Sequence, residues 1–184
     1  MKKILSIVLV VLITIISSVQ SNAQTLKFLG IPVDGRKSEV IALLKNKGFV
    51  YDSVNDCLSG KFNGVDSHIF VSENHGKVDR IMVAENTLVD EAQIIIHFNN
   101  LLYSFQNNEK YIGLSENQEI SSNEDISYEM LVHNKVYTAH FILKRNEPGF
   151  VTELVWFTIA RYGSKYFICI YYDNLMNRPN GQDL

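Results

Sequence analysis

The sequence predicts an α+β protein built from two halves, each with a helix followed by a meander of antiparallel strands. Apolar residues recur at helical spacing in two stretches, Ser38–Lys47 and Leu88–Asn107. Short apolar runs separated by turn residues follow each stretch, as in antiparallel hairpins. The halves are 24–86 and 87–184, and together they have the length of one domain. We expect both helices to pack on one face of the sheet.

The first 23 residues have the features of an export signal. Two lysines precede an apolar run from Ile4 to Ile16, and Ser21 and Ala23 fit the small-x-small pattern of a cleavage site. The run is shorter than the roughly 18 residues of a membrane-spanning helix, so we expect cleavage and no membrane insertion. The mature chain would begin at Gln24 and be periplasmic or secreted.

Composition argues against several classes of function. The formal charge is −3, and removal of the two leader lysines lowers it to −5, which leaves no basic excess for nucleic acid or anionic lipid. The sequence contains no Gly-rich phosphate loop and no zinc-type spacing of Cys and His. We therefore predict no cofactor and no metal.

The first half begins with an apolar lead-in, Leu26–Val33, and its helix opens at Asp34 or Gly35 and ends before Gly48. The pair Asn63-Gly64 then predicts a tight hairpin between Leu58–Phe62 and Val65–Val71. This turn sets four cross-strand pairs: Phe62 with Val65, Leu58 with Ile69, Lys61 with Asp66, and Ser59 with His68.

The next strand is Val78–Ala84, and the loop before it leaves open whether Ile81 or Met82 faces the core. The second helix has acidic residues in its first turn, where they favour the helix dipole. Its apolar face comprises Ile94, Ile95, Phe98, Leu101, Leu102 and Phe105, and its polar stripe Gln93, His97, Asn100 and Ser104. The polar stretch Ser115–Asp125 is predicted to be a mobile loop.

Two further hairpins complete the second half. We expect Ile126–Val132 and Lys135–Leu143 to be strands joined at His133-Asn134, and Gly163-Ser164 to join the two longest strands. The tail from Asn174 onward is polar and is expected on the surface. In the last hairpin, one face carries Val155, Phe157, Ile159, Ile168, Ile170 and Tyr172. The other carries Leu154, Trp156, Thr158, Phe167, Cys169 and Tyr171.

That second face is also largely apolar, although one face of an antiparallel sheet is usually polar. Either another part of the chain packs over it, or it is a binding surface for a protein or other surface ligand. Trp and Tyr are favoured anchors at interfaces. The candidate binding residues are Leu154, Trp156, Phe167 and Tyr171.

Two cysteines, Cys57 and Cys169, would reach an oxidising compartment, and the sequence leaves open whether they form a disulfide or are buried thiols. The chain lacks a Gly-x-Ser-x-Gly elbow and other nucleophile motifs, so we expect a non-enzymatic binding protein with no catalytic residues. The alternatives are a small extracytoplasmic hydrolase that uses His68 or His140 with a nearby Ser, and an envelope-associated accessory protein.

Parts of the chain resemble known families. The segments Phe28–Gly35, Lys37–Ile41 and Asp173–Leu184 resemble an uncharacterised family of small secreted proteins from gut-dwelling Gram-negative bacteria. More remotely, Gly35–Gly48 and the strands after it are similar to the start of α+β domains like the beta-lactamase inhibitory protein and the lipoprotein BamE. That resemblance implies helices on one face of an antiparallel sheet and protein binding by the open face or loops. Unlike BamE, the chain has no lipid-anchor Cys.

Overall fold

An eight-stranded antiparallel sheet dominates the part of the protein that the computed structural model describes, residues 25–144 and 151–178. Three helices and a separate two-stranded ribbon accompany it there, so the α+β class is confirmed. The expected export signal and the end of the tail lie outside the described residues.

The first half contains six strands and one helix. They are β1 Lys27–Phe28, β2 Ile31–Pro32, α1 Lys37–Asn46, β3 Val50–Asp52, β4 Cys57–Phe62, β5 Val65–Asn74 and β6 Lys77–Glu85. Strands β1 and β2 form the separate ribbon. The second half contains α2 Glu91–Gln106, β7 Tyr111–Gly113, α3 Ile126–Val132, β8 Thr138–Leu143, β9 Glu153–Tyr162 and β10 Lys165–Asn174.

The strand order in the large sheet is β3-β4-β5-β6-β10-β9-β8-β7. Each half therefore contributes four adjacent strands, and the last strand of one half pairs with the last strand of the other. This central pairing of β6 with β10 joins residues that are far apart in sequence, such as Arg80 and Asp173.

Both Gly-containing hairpins have the predicted register. In the first, all four predicted pairs are present, from Phe62 with Val65 to Leu58 with Ile69. In the second, Tyr162 pairs with Lys165 across Gly163-Ser164. Both Asn63 and Gly64 have positive φ, the backbone conformation that a tight type I′ turn needs and that Asn and Gly tolerate.

One face of the sheet belongs to the hydrophobic core. The predicted inner residues of β9 and β10 are all buried there: Val155, Phe157, Ile159, Ile168, Ile170 and Tyr172. Rings of α2 pack on this face, with Phe98 and Phe105 contacting Phe157. Ile81 is fully buried on the same face whereas Met82 is half-buried. Of these two residues, which the sequence could not assign, Ile81 therefore faces the core.

The prediction of a strand at Ile126–Val132 was wrong. These residues form α3, because the Asp125 carboxylate accepts a hydrogen bond from the Tyr128 N–H and caps the helix. Asn134, expected in a hairpin turn, has a φ of 53° and lies just beyond the helix end. Strand β8 therefore begins at Thr138, three residues later than expected. The short edge strands β3 and β7 were not predicted.

Residues 115–125 form a loop, as predicted, but side-chain hydrogen bonds hold it at two points. The Asn117 amide donates to the His140 carbonyl (2.7 Å) and accepts from the His140 N–H (2.7 Å). Asn99 of α2 bonds both backbone groups of Ile120 in the same way. Ile120 is also buried, so this loop is tied to β8 and α2.

Candidate functional site

The four candidate binding residues all lie on the sheet surface opposite the core. Leu154, Trp156, Phe167 and Tyr171 alternate with the buried residues along β9 and β10, and all four are half-buried. They are not equally close to one another. Trp156 and Tyr171 are directly paired, Leu154 lies in the adjacent row, and Phe167 is about 13 Å along β10 from Tyr171 at the usual rise per residue.

The strand register extends this surface well beyond the last hairpin. His140 pairs with Trp156, Tyr171 pairs with both Trp156 and Met82, and Met82 pairs with Phe70. Five half-buried side chains thus form a continuous row across five strands. The adjacent row contains Ser72, Arg80, Asp173, Leu154 and Ile142. We call these two rows, together with Phe167, the outer face.

The rings at the centre of the outer face stand on edge. Trp156 and Tyr171 stack with centroids 3.9 Å apart and planes 8° from parallel, and His140 stacks on Trp156 at 5.8 Å. Because the stacking direction runs from strand to strand, the ring planes are roughly perpendicular to the sheet. The ring edges therefore point outward, while the faces of Trp156 are covered by the neighbouring rings.

A buried carboxylate fixes this stack to the sheet. Asp173 is 1% exposed. It accepts hydrogen bonds from Arg80 Nε (2.5 Å) and Nη2 (2.8 Å) and from Trp156 Nε1 (2.9 Å). The hydrogen bond to Asp173 raises the pKa of Arg80, which stays protonated. Bidentate pairing of this kind defines both the position and the orientation of a guanidinium group.

Arg80 also contacts the ring stack. Its guanidinium carbon is 4.8 Å from the Tyr171 centroid and 5.6 Å from the Trp156 centroid. If the guanidinium group were stacked on the face of Tyr171 that points away from Trp156, it would be more than 5.6 Å from the Trp156 centroid, because the two rings are themselves 3.9 Å apart. The guanidinium group therefore lies beside the stack.

A second arginine reaches the same carboxylate from the end of β10. Arg178 Nη1 donates to Asp173 Oδ2 (3.0 Å), and Arg178 Nε lies 4.0 Å from Asp79 Oδ2. Asp79 is the extra residue of a β-bulge, because Arg80 pairs with Ser72 and Val78 with Glu73. The Asp79 Oδ1 atom is buried and has no hydrogen-bond partner in the part of the chain that the structure describes.

The histidines proposed for hydrolysis are separated in the structure. His68 Nδ1 is 3.1 Å from Ser59 Oγ across β4 and β5, whereas His140 stacks on Trp156. In the described residues, His68 forms no hydrogen bond to a carboxylate that would orient it as a catalytic base. The same residues contain no group of three or more His, Cys, Asp or Glu side chains that could hold a metal ion.

A different histidine, His97, does have a carboxylate partner. His97 Nε2 is 2.8 Å from Glu85 Oε1, and this hydrogen bond raises the pKa of His97. Both residues line a cleft of about 390 Å³ between α2 and the β4–β5 hairpin, which Thr87, Gln93 and Ile96 also line. The sequence placed His97 on a polar helix stripe, and only the fold brings Glu85 to it.

The two cysteines do not form the disulfide that the sequence left open. Cys57 and Cys169 are buried free thiols. They lie on β4 and β10 with two strands between them, a separation of about 14 Å at the usual strand spacing, whereas a disulfide needs Cα atoms within about 7 Å. Burial raises the pKa of Cys169 to about 11.

Comparisons with known proteins found no matching family model, no matching curated protein and no matching solved structure. None of the helices in the described residues has the length and apolar character that crossing a membrane requires.

Proposed function

We propose that this protein is a non-enzymatic binding protein that recognises another protein through the outer face. The observation that carries the proposal is the row of five side chains in register across five strands: Phe70, Met82, Tyr171, Trp156 and His140. Each is partly exposed, whereas the side chains on the other face of the same strands are buried. Aromatic residues and Met are enriched in the cores of protein interfaces.

The orientation of the rings favours a protein over a sugar or a nucleobase. Sugars and bases stack on exposed ring faces, as single-stranded nucleic acids do on aromatic platforms. Here the faces of Trp156 are covered by Tyr171 and His140, and only edges point outward. The neighbouring Leu154 and Ile142 add aliphatic surface, which suits the mixed side chains of a protein partner.

We further propose that the protein acts outside the cytoplasm, in the periplasm or beyond the cell, because residues 1–23 have the pattern of a cleaved export signal. In this proposal, as in domains like the beta-lactamase inhibitory protein, helices cover one sheet face and leave the other to a partner. Fractionation of the producing cells separates a freely secreted protein from an envelope-associated one.

Site-specific photocrosslinking in the producing cells tests the proposal. Benzoylphenylalanine is introduced in place of Phe70 on the outer face and, as a control, in place of Tyr103, an exposed ring on α2. We expect a covalent adduct with a second protein from position 70 and none from position 103. An adduct from position 103 alone, or none from position 70 in a variant that folds normally by circular dichroism, contradicts the proposal.

The second candidate function is hydrolysis, which the 3.1 Å contact between Ser59 Oγ and His68 Nδ1 favours. A fluorophosphonate probe reacts covalently with an activated serine hydroxyl. Labelling of the wild type that disappears in Ser59→Ala supports this function. No labelling, or labelling that persists in Ser59→Ala, argues against it and leaves the binding proposal in place.

A further inference from the structure

We infer that the partner of the outer face presents an acidic side chain, which Arg80 and Arg178 hold beside the ring stack. This inference rests on the proposed function, because it specifies the chemistry of the protein that the outer face binds. Three observations support it: the N–H donors that the two arginines leave unused, the burial of the Asp173 carboxylate, and the side chains that surround the arginines.

Both guanidinium groups have donors to spare. An arginine carries five N–H groups. Among the described residues, Arg80 uses two of them on Asp173, and Arg178 uses one. Asp173 accepts from both arginines and from Trp156, so it has little capacity left for an incoming donor. Asp79 Oδ1 also lacks a partner among the described residues, but it is buried. The accessible unused capacity at this site therefore belongs to N–H groups, which pair with an anion or another acceptor.

The carboxylates at this site are buried while the arginines are accessible. The Asp173 side chain is 1% exposed, whereas Arg80 is 22% and Arg178 is 36% exposed. Asp79 is also buried. An approaching molecule thus meets positive groups first, on a chain with a net formal charge of −3. This local complementarity selects an anionic group over a cationic one.

The arginines are also held in place before any partner arrives. Arg80 is fixed by a bidentate pair, and Arg178 lies between Asp173 at 3.0 Å and Asp79 at 4.0 Å. A side chain that is already ordered loses less conformational entropy on binding than a free surface lysine or arginine. A planar guanidinium group also matches the geometry of a carboxylate.

The surroundings indicate what accompanies the acidic group. The ring edges of Trp156 and Tyr171, which carry partial positive charge, lie next to Arg80, and the aliphatic Leu154 lies next to Asp173. These edges favour a carboxylate oxygen or the face of a partner's aromatic ring. We therefore expect Asp or Glu within a few residues of an aromatic or large aliphatic side chain.

A random peptide library displayed on phage tests the inference with the full mature chain as the target. We expect the selected peptides to be enriched in Asp or Glu next to Phe, Tyr, Trp or Leu. In titrations, replacing the acidic residue of a selected peptide with its amide should weaken binding to the wild type by roughly tenfold or more, as for a charge-assisted hydrogen bond. Higher salt should weaken the acidic peptide more than the amide.

Variants of the protein test whether Arg178 is responsible for the difference in affinity between the acidic peptide and its amide. Arg178→Gln should discriminate less between the acidic peptide and its amide than the wild type does, because only Arg80 remains to pair with the carboxylate. Lys165→Gln makes the same change of charge at an exposed position at the far end of β10, and should still discriminate between the two peptides as the wild type does. The peptide substitution leaves the protein unchanged, so the test stands even if Arg178→Gln lowers stability.

Two results separate failure of this inference from failure of the proposed function. Peptides that crosslink to position 70 but show no acidic enrichment, or whose amides bind equally well, overturn the inference and leave the proposed function standing. Selected peptides that crosslink only at position 103 overturn both. Tighter binding of a sulfated glycan or single-stranded DNA than of any peptide also overturns both, because the partner would then not be a protein.

Discussion

Asp173 is the residue on which the outer face depends, because it is buried and joins Arg80, Arg178 and Trp156. Removing one partner of a buried ion pair leaves the other charge uncompensated. We expect Asp173→Ala to lower the free energy of unfolding by about 3 kcal/mol, measured by urea denaturation. Asp66→Ala removes a carboxylate from an exposed pair with Lys61 and should cost at most about 1 kcal/mol. Equal costs for the two variants would show that Asp173 does not hold this cluster together.

His97 gives the protein a pH-dependent contribution to stability. Its hydrogen bond to Glu85 raises its pKa above the ordinary value of 6.5. A group whose pKa is raised in the folded state stabilises it fully below the unfolded pKa, and this stabilisation is lost as pH rises through the folded pKa. We therefore expect the wild type to exceed His97→Gln in unfolding free energy near pH 6, by less than about 1 kcal/mol for this partly exposed pair.

The difference should shrink as the pH is raised towards 9, in denaturation curves recorded for both proteins at each pH. A difference that grows with pH would mean that His97 stabilises the fold in its neutral form.

At the scale of elements, the side chain of Asn117 ties the loop before β8 to that strand. Asn117 forms two hydrogen bonds with the backbone of His140, as a neighbouring strand would. We expect Asn117→Ala to cost about 1–2 kcal/mol and to speed hydrogen exchange at the His140 amide. Gln118→Ala changes an exposed neighbour and should alter neither quantity. Unchanged exchange at His140 in Asn117→Ala would show that the amide is protected by other means.

Turn chemistry was the most informative part of the sequence. Asn63-Gly64 and Gly163-Ser164 fixed the register of two hairpins, because a two-residue turn leaves little freedom in the pairing. The same logic failed at His133-Asn134. Asn tolerates positive φ both in a hairpin turn and at the end of a helix, so the position of Ile126–Val132 next to a short turn suggested a strand. The capping residue Asp125 was the signal that could have identified the helix.

Only part of the candidate site could be predicted from the sequence. Alternation along β9 and β10 placed Leu154, Trp156, Phe167 and Tyr171 on one face, and the structure has them there. Arg80 and Met82 could not be added, because the pairing of β6 with β10 joins the two halves and no local pattern specifies it. The bulge at Asp79 also shifts the register of β6, so alternation alone could not decide which residues face outward.

At the scale of the whole molecule, the two faces of the sheet should differ in their tolerance of substitution. Tyr171→Ser removes a half-buried ring from the outer face, and we expect it to cost about 1 kcal/mol. Phe157→Ala removes a ring that contacts Phe98 and Phe141 in the core, and should cost about 3–5 kcal/mol. Thermal unfolding of both variants checks this. Comparable losses would mean that the outer face is packed as tightly as the core.

The hydrogen bonds between Asn117 and His140 also affect self-association of the protein. An open strand edge is a template for polymerisation, since another chain can add to it by main-chain hydrogen bonds. On the side of β8 away from β9, the short β7 and the Asn117 amide already pair with the backbone N–H and C=O groups between His140 and Leu143. In the described part of the chain, only the three-residue β7 remains open along this part of the edge, and so short a strand is a poor template for fibril-like growth. The sheet can therefore expose apolar side chains on its outer face with little tendency to add further copies of the chain at this edge.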